Sequence, residues 1–197
     1  MSVFPIGSVG HHLMRMRGVW HDHVEIFALD GTPLDEDSWA GAKGSAPFDN
    51  LVYIDFDGVH YRQTNVTFRG RPLHVRSFVG ELREGVLHFA KLGPDDPGHV
   101  GISGGQDVLL YVASRVTDAM SRYSEPDFIH LIGQAQRTRT TVLYRDGVAV
   151  RTLLATGYKL TADASRRVAF DPRGAEGDVH DRQSETLVFK HNDDGTQ

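Results

Sequence analysis

Three Asp-Gly pairs, Asp30-Gly31, Asp57-Gly58 and Asp146-Gly147, each separate runs rich in Val, Ile, Thr, Tyr and Phe. Asp-Gly supplies the left-handed backbone that a tight hairpin needs, and β-branched and aromatic residues suit the flanking strands. Arg69-Gly70 and Glu84-Gly85 occupy similar places. The runs between the turns lie at 18–29, 50–56, 58–68, 71–82, 85–92, 98–103, 107–116, 127–136, 137–145 and 148–160. Turns recurring about every 8–12 residues point to an all-β sandwich or an up-and-down barrel. Long helices are not in the pattern. Residues 35–48, "DEDSWAGAKGSAPF", read as a loop or short helical lid, and residues 114–126 hold one or two helical turns. The expected organisation is an N-terminal extension over 1–16, one β-domain over 17–161 and a polar C-terminal extension over 162–197. Within that extension "RRVAF" and "ETLVFK" read as short edge strands.

Charge and composition exclude several function classes. With 197 residues the chain is long enough for one domain with a real core. A net charge of -5 argues against a nucleic-acid footprint or an anionic-membrane binder. The chain has no cysteine, which removes disulfides, thiolate metal sites and cysteine nucleophiles. The first residues, "MSVFPIGSVGHHLMRMRG", lack the pattern of a signal peptide, so a cytoplasmic protein is expected. No phosphate-binding Gly-x-x-x-x-Gly-Lys loop, strand-anchored Gly-x-Gly-x-x-Gly or Gly-x-Ser-x-Gly elbow is present. "GISGGQD" at 101–107 is glycine-rich, but no helix pattern follows it, and it reads as a turn.

Gly18-Val19-Trp20 opens the first strand. A Gly-x-Trp there, followed by a meander of hairpins over 17–160, resembles the lipocalin and fatty-acid-binding superfamily. The resemblance implies a single antiparallel barrel of about 8–10 strands, with the Trp plugging one end and an Arg from a late strand across its ring. Arg137, Arg139 and Arg151 are the candidates, and a cation over an indole face gives the contact its physical reason. The sequence departs from secreted lipocalins at Thr117-Asp118-Ala119, where their second motif carries a Tyr, and it lacks their cysteines and leader. The chain reads as a divergent intracellular member.

Alternation along the first strand then assigns faces. If Trp20 points inward, so do Asp22, Val24 and Ile26, while His21, His23 and Glu25 point to water. The His-x-His pair is therefore expected on a solvated face with no metal. The rival pattern, a cupin metal site, wants different spacing: Glu25 follows His23 by only two residues, and "PDDPGHVG" at 94–101 does not match the second cupin motif. Asp22, inward beside a Trp, needs a partner to stay ionised.

Other polar residues are weighed in the same way. His130 in "DFIHLIGQ" and His88 have apolar neighbours, which places them in the core or at a cavity wall. Phe128 shares the face of His130. For His60 and Tyr61 the pattern leaves the inward residue open. The run "QRTRTTVLYR" sets Arg137, Arg139, Thr141, Leu143 and Arg145 on one face. Three arginines in a row are costly to bury, so an exposed charged strand is expected. The alternative puts Arg139 and Tyr144 inside, resembling the carboxylate clamp of cytosolic fatty-acid-binding proteins.

The expected function is a cofactor-independent lyase, isomerase or cyclase acting on a small, largely apolar molecule in the barrel cavity. The catalytic candidates are His130, His88, Asp22 and Tyr61, with Trp20, Arg139, Tyr144 and Phe128 lining the ligand. No metal or cofactor is expected, and neither nucleic acid nor membrane as a partner; a homodimer is compatible with the reading. The alternatives are a passive carrier of a fatty acid or similar ligand, and a haem barrel, similar to nitrobindin-type proteins, with an inward His as axial ligand.

Overall fold

The described glycine pairs do form turns, while Arg69-Gly70 lies outside the described residues. Glu84 and Gly85, and Asp146 and Gly147, all adopt positive φ, as a two-residue hairpin turn of this hand requires. At Asp57-Gly58 the Asp57 carboxylate accepts the backbone N–H groups of Val59 and His60, at 2.8 and 2.7 Å. The computed structural model describes residues 4–39, 42–68, 74–91, 98–113, 125–166 and 168, and of 36–45 the backbone alone. Residues Met1–Arg166 form one compact unit and Arg167–Gln197 a second. The expected edge strands of the tail, and nearly all of the expected helical turns at 114–126, fall outside the described residues.

The strands are β1 Gly18–Phe27, β2 Glu36–Trp39, β3 Ala42–Ser45, β4 Phe48–Phe56, β5 His60–Phe68, β6 His74–Arg83, β7 Val86–Phe89, β8 His99–Gly105, β9 Val108–Ala113, β10 Asp127–Ile132, β11 Gln136–Arg145 and β12 Val148–Thr161. β1 and β4 through β12 close an antiparallel up-and-down barrel, in which the first strand pairs with the last. This is the expected fold. The segment expected to be a loop or helical lid is instead the hairpin β2–β3, a small separate sheet between β1 and β4.

The one described helix, α1 (Val9–Met16), falls in the stretch read as an extension. The Ser8 hydroxyl caps it by accepting the His11 N–H. Val9, His12, Leu13 and Met16 recur at helical spacing and are buried. Arg15 ties the helix to the barrel end, reaching Asp107 at 2.6 Å and the Gly133 carbonyl at 2.7 Å. These residues lie in the β8–β9 and β10–β11 turns, so α1 plugs the end those turns form. Leu13 and Met16 join Trp20, Val52, Ile54, Phe56, Leu109 and Leu131 in the larger apolar cluster. A smaller one, with Val24, Ile26, Ala46, Leu153 and Ala155, lies further along β1 and β12.

Candidate functional site

The plugged end explains why the motif is Gly-x-Trp. Gly18 has φ of +120°, and a Cβ there would collide with the Thr161 carbonyl of the adjoining strand. Trp20 is 1% exposed and its indole N–H donates to the Met16 carbonyl at 2.7 Å, which joins helix to strand. Of the three candidate arginines it is Arg137 that covers the ring, 4.5 Å from the centroid. Lys159 also approaches the ring, at 4.9 Å. Burial, with Arg137 and Arg15 nearby, pulls its amine down to about 8.

Asp22, Val24 and Ile26 face inward as alternation requires, while His23 and Glu25 are exposed. Asp22 finds its partner in Arg137, which donates from Nη2 to both carboxylate oxygens, at 2.9 and 2.7 Å, and from Nε at 3.1 Å. The register shows how. Gly157 of β12 pairs with Asp22 on one side and Arg137 on the other. A side chain at that position would fill the space the two partners cross. Arg137 and Arg139 of the β11 row are thus turned inward, contrary to the expected exposed strand, while Arg145 at its end is exposed. A carboxylate far away in sequence offsets the burial cost. Arg151 is buried beside Leu143, away from Trp20.

Four sequence candidates are not in the interior. Ile129 and Leu131 are 3% exposed, so the alternating neighbours Phe128, at 48%, and His130 point outward. The expectation of a core or cavity-wall His130 fails because both faces of this strand carry apolar residues, and the outer set is left on the surface. His88 sits half-buried on the face opposite the buried Leu87, hence outside. Tyr144 is separated from Arg139 by an odd step along β11 and takes the opposite face, so the two do not form a clamp. His21 and His23 both donate to Asp49 Oδ1, at 2.8 and 3.1 Å, on the outer surface. Among the described residues no group of histidines and carboxylates is arranged to hold a metal ion.

The interior itself carries a polar set the sequence reading largely missed. Tyr61 is buried and His60 faces out. The Tyr111 hydroxyl donates to Tyr61 at 3.2 Å, Tyr61 donates to Gln63 Oε1 at 2.5 Å, and the Gln63 amide donates to Asn65 at 2.9 Å. Phe89 stands edge-on to both tyrosine rings. Burial pushes the Tyr61 hydroxyl up to about 12, against the Tyr111 bond, so it is a donor and not a base. One step beyond Arg137, Arg139 lies in a row with Ile129, Ala155 and Val24. Its buried Nε has no hydrogen-bond partner among the described residues. Burial opposes its charge, but Asp127, Asp22 and Glu125 outweigh that and hold it firmly cationic. Asp127 accepts the Thr141 hydroxyl. Glu125, half-buried, makes no hydrogen bond among the described residues, and burial, reinforced by Asp127, pushes its carboxyl up to about 7 against Arg76 and Arg139. On β4, in register with Asp22, the buried Asn50 Oδ1 also lacks a partner among the described residues. Beside its paired polar groups the barrel thus carries, among the described residues, an acid that titrates near neutrality, a guanidinium whose buried Nε is unpartnered and an unfilled amide acceptor.

No family model and no curated protein matches the chain. Solved structures do. One is a protein of unknown function from the DUF3598 family of Nostoc punctiforme PCC 73102, with a TM-score of 0.55 and 15% identity over 75% of this chain and 49% of that one. Another is the S-type phycobiliprotein lyase CpeS from Guillardia theta, with a TM-score of 0.56 and 12% identity over 78% of this chain and 93% of that one. The likeness is one of fold. The chain spans about half the length of the first of these structures. No helix among the described residues is long and apolar enough to cross a membrane.

Proposed function

We propose that this divergent lipocalin-like barrel binds a small, largely apolar organic molecule bearing an anionic group, and acts on it as a cofactor-independent lyase, isomerase or cyclase. The observation that carries the reading is Arg139. A buried guanidinium N–H without a partner is costly, and a bound carboxylate or similar oxyanion would satisfy it in a fork. Val24, Ile129 and Ala155 around it suit an apolar body. The nearby carboxyl of Glu125 supports acid–base chemistry without a cofactor. The same arginine also favours the carrier reading, in which a carboxylated ligand is held and released unchanged. The haem reading loses two candidate axial ligands, because His88 and His130 face outward.

The binding test uses 2-naphthoate, an apolar bicycle with one carboxylate, followed by its fluorescence. Wild type should bind it, Arg139→Met should weaken binding at least about tenfold, and Arg62→Met, on the outer surface, should not. Failure of wild type to bind, or equal binding by Arg139→Met, would overturn the reading. Catalyst and carrier separate by mass spectrometry of a metabolite extract incubated with the protein and no added cofactor. A catalyst converts a component to an isomer of equal mass, or to fragments that sum to it. A carrier returns it intact.

A further inference from the structure

We propose that Asn50 is a second anchor of the barrel site, and that the ligand carries a hydroxyl group at the end opposite the oxyanion it seats on Arg139. The inference rests on the reading of Arg139 above and narrows the ligand to an apolar acid hydroxylated far from its acidic group. Asn50 stands on β4 between Phe48 and Val52 in the alternating set. Both of those side chains pack in the apolar clusters, so strand parity turns Asn50 inward as well. It is 5% exposed, and its amide oxygen has no hydrogen-bond partner among the described residues. Leaving such an acceptor unmade in the interior is costly.

The neighbours of Asn50 explain why it is left over. Asp22 is in register with Asn50 on one side and with Gly157 on the other. Its carboxylate crosses Gly157 to Arg137, which gives it three hydrogen bonds, and so it turns away from Asn50. Being an acceptor, it has nothing to donate to the amide oxygen. On the other edge of β4, Asn50 is in register with Thr67 of β5, which does not bond to that oxygen.

The register also relates Asn50 to Arg139. One row of the inner wall runs Asn50, Asp22, Gly157, Arg137, and the next runs Phe48, Val24, Ala155, Arg139. The two polar ends are therefore three strands and one pleat apart, about 14 Å along the wall at ~4.8 Å per strand. Both side chains point inward in a closed barrel, so their polar groups stand closer than that. Phe48, Val24 and Ala155 supply apolar surface in the row between them. An anion, an apolar body and a distant hydroxyl match that order. A hydroxyl fits an amide in either orientation, since it donates to the oxygen and accepts from the N–H. A neutral group also suits a position whose charged neighbour, Asp22, is already neutralised by Arg137.

The experiment compares three acids by their fluorescence. They are 2-naphthoate, 6-hydroxy-2-naphthoate, whose hydroxyl lies at the far end of the rings from the carboxylate, and 3-hydroxy-2-naphthoate, whose hydroxyl lies beside it. Wild type should bind the 6-hydroxy acid about tenfold more tightly than 2-naphthoate, the gain of one hydrogen bond at an amide that had none. The 3-hydroxy acid should gain nothing. In Asn50→Leu and Asn50→Ala the 6-hydroxy advantage should fall to a factor of about one, while Arg139→Met should weaken 2-naphthoate and the 6-hydroxy acid alike. An advantage absent in wild type, equalled by the 3-hydroxy acid, or kept in both Asn50 variants overturns the role of Asn50 and leaves Arg139-dependent binding of 2-naphthoate intact. Loss of native circular dichroism in both Asn50 variants overturns it too, because an amide without a partner is dispensable to the fold. Failure of wild type to bind any of the three acids overturns both readings together.

Discussion

Gly157→Ala is the smallest change that tests how the inner wall is built. The glycine lies between Asp22 and Arg137, and an added methyl would clash with the Asp22 carboxylate and sit 2.8 Å from Arg137 Cγ and 3.0 Å from Nε. Neither partner has room to retreat, since their side chains keep 1% and 5% exposure, and Arg137 is also held over Trp20. Simple overpacking costs about 1–3 kcal/mol. Losing one side of a buried charge pair costs about 3–5 kcal/mol. A methyl that bends the pair without removing it should fall where the ranges meet, near 3 kcal/mol. In a chain of this size each kcal/mol lowers Tm by about 2–4 °C, so the expected drop is about 6–12 °C. Thermal unfolding by tryptophan fluorescence reads it. The cost should shrink in an Asp22→Asn/Arg137→Met background, because the groups the methyl strikes are then uncharged and no longer locked in an ion pair. An unchanged Tm in Gly157→Ala, or an equal loss in the background without the pair, would refute the reasoning.

Further changes probe the rest of the structure. Trp20→Ala should cost ~3–5 kcal/mol in denaturant unfolding, the usual range for a large buried aromatic, and should release α1 to proteolysis because Trp20 anchors the Met16 carbonyl. His12 donates from Nε2 to the Gly105 carbonyl, its Nδ1 is buried without a partner among the described residues, and burial lowers its pKa. The unfolded chain therefore binds the proton first, so stability should decline as pH falls through about 6.5 toward the depressed folded value. His12→Gln should flatten that part of the Tm profile. His21→Ala/His23→Ala should change stability by no more than about 1 kcal/mol, as for other exposed pairs with a carboxylate, and should leave 2-naphthoate affinity unchanged.

The ten barrel strands were legible because the information is local. Turn residues punctuate the chain, and β-branched runs fill the intervals. The face of β1 was legible because polar and apolar residues alternate there from Trp20 to Ile26. In β10 alternation gives no such signal, since Phe128, Ile129, Leu131 and Ile132 occupy both faces, and only the closed barrel decides which half is buried. The arginine row was misjudged for a different reason. The cost of burying Arg137 is set by Asp22, 115 residues away, and no window along the chain contains both. Helix α1 had left a trace in Val9, Leu13 and Met16 after a capping serine, hidden by Gly10 and the paired histidines. Arg139 was legible as a candidate, but for a clamp with Tyr144 that the strand parity forbids; that its buried Nε lacks a partner among the described residues is visible only in three dimensions.

The pairing of β1 with β12 has a consequence for how the chain is made. Gly18–Phe27 leaves the ribosome before the other barrel strands and finds one neighbour, β4, soon afterwards. Its other edge must wait for Thr152 to Thr161. At ordinary translation speeds of ~5–20 residues per second that interval is on the order of ten seconds. Throughout it, Asp22 has no Arg137 and the β1 edge stands open to any passing strand. The hairpins between can form as they emerge, but the barrel itself closes only once β12 has emerged. Exposure of a nascent strand, rather than stability of the finished fold, is then the stage at which this sequence is most vulnerable to aggregation, and slowing translation before β12 would lengthen that exposure.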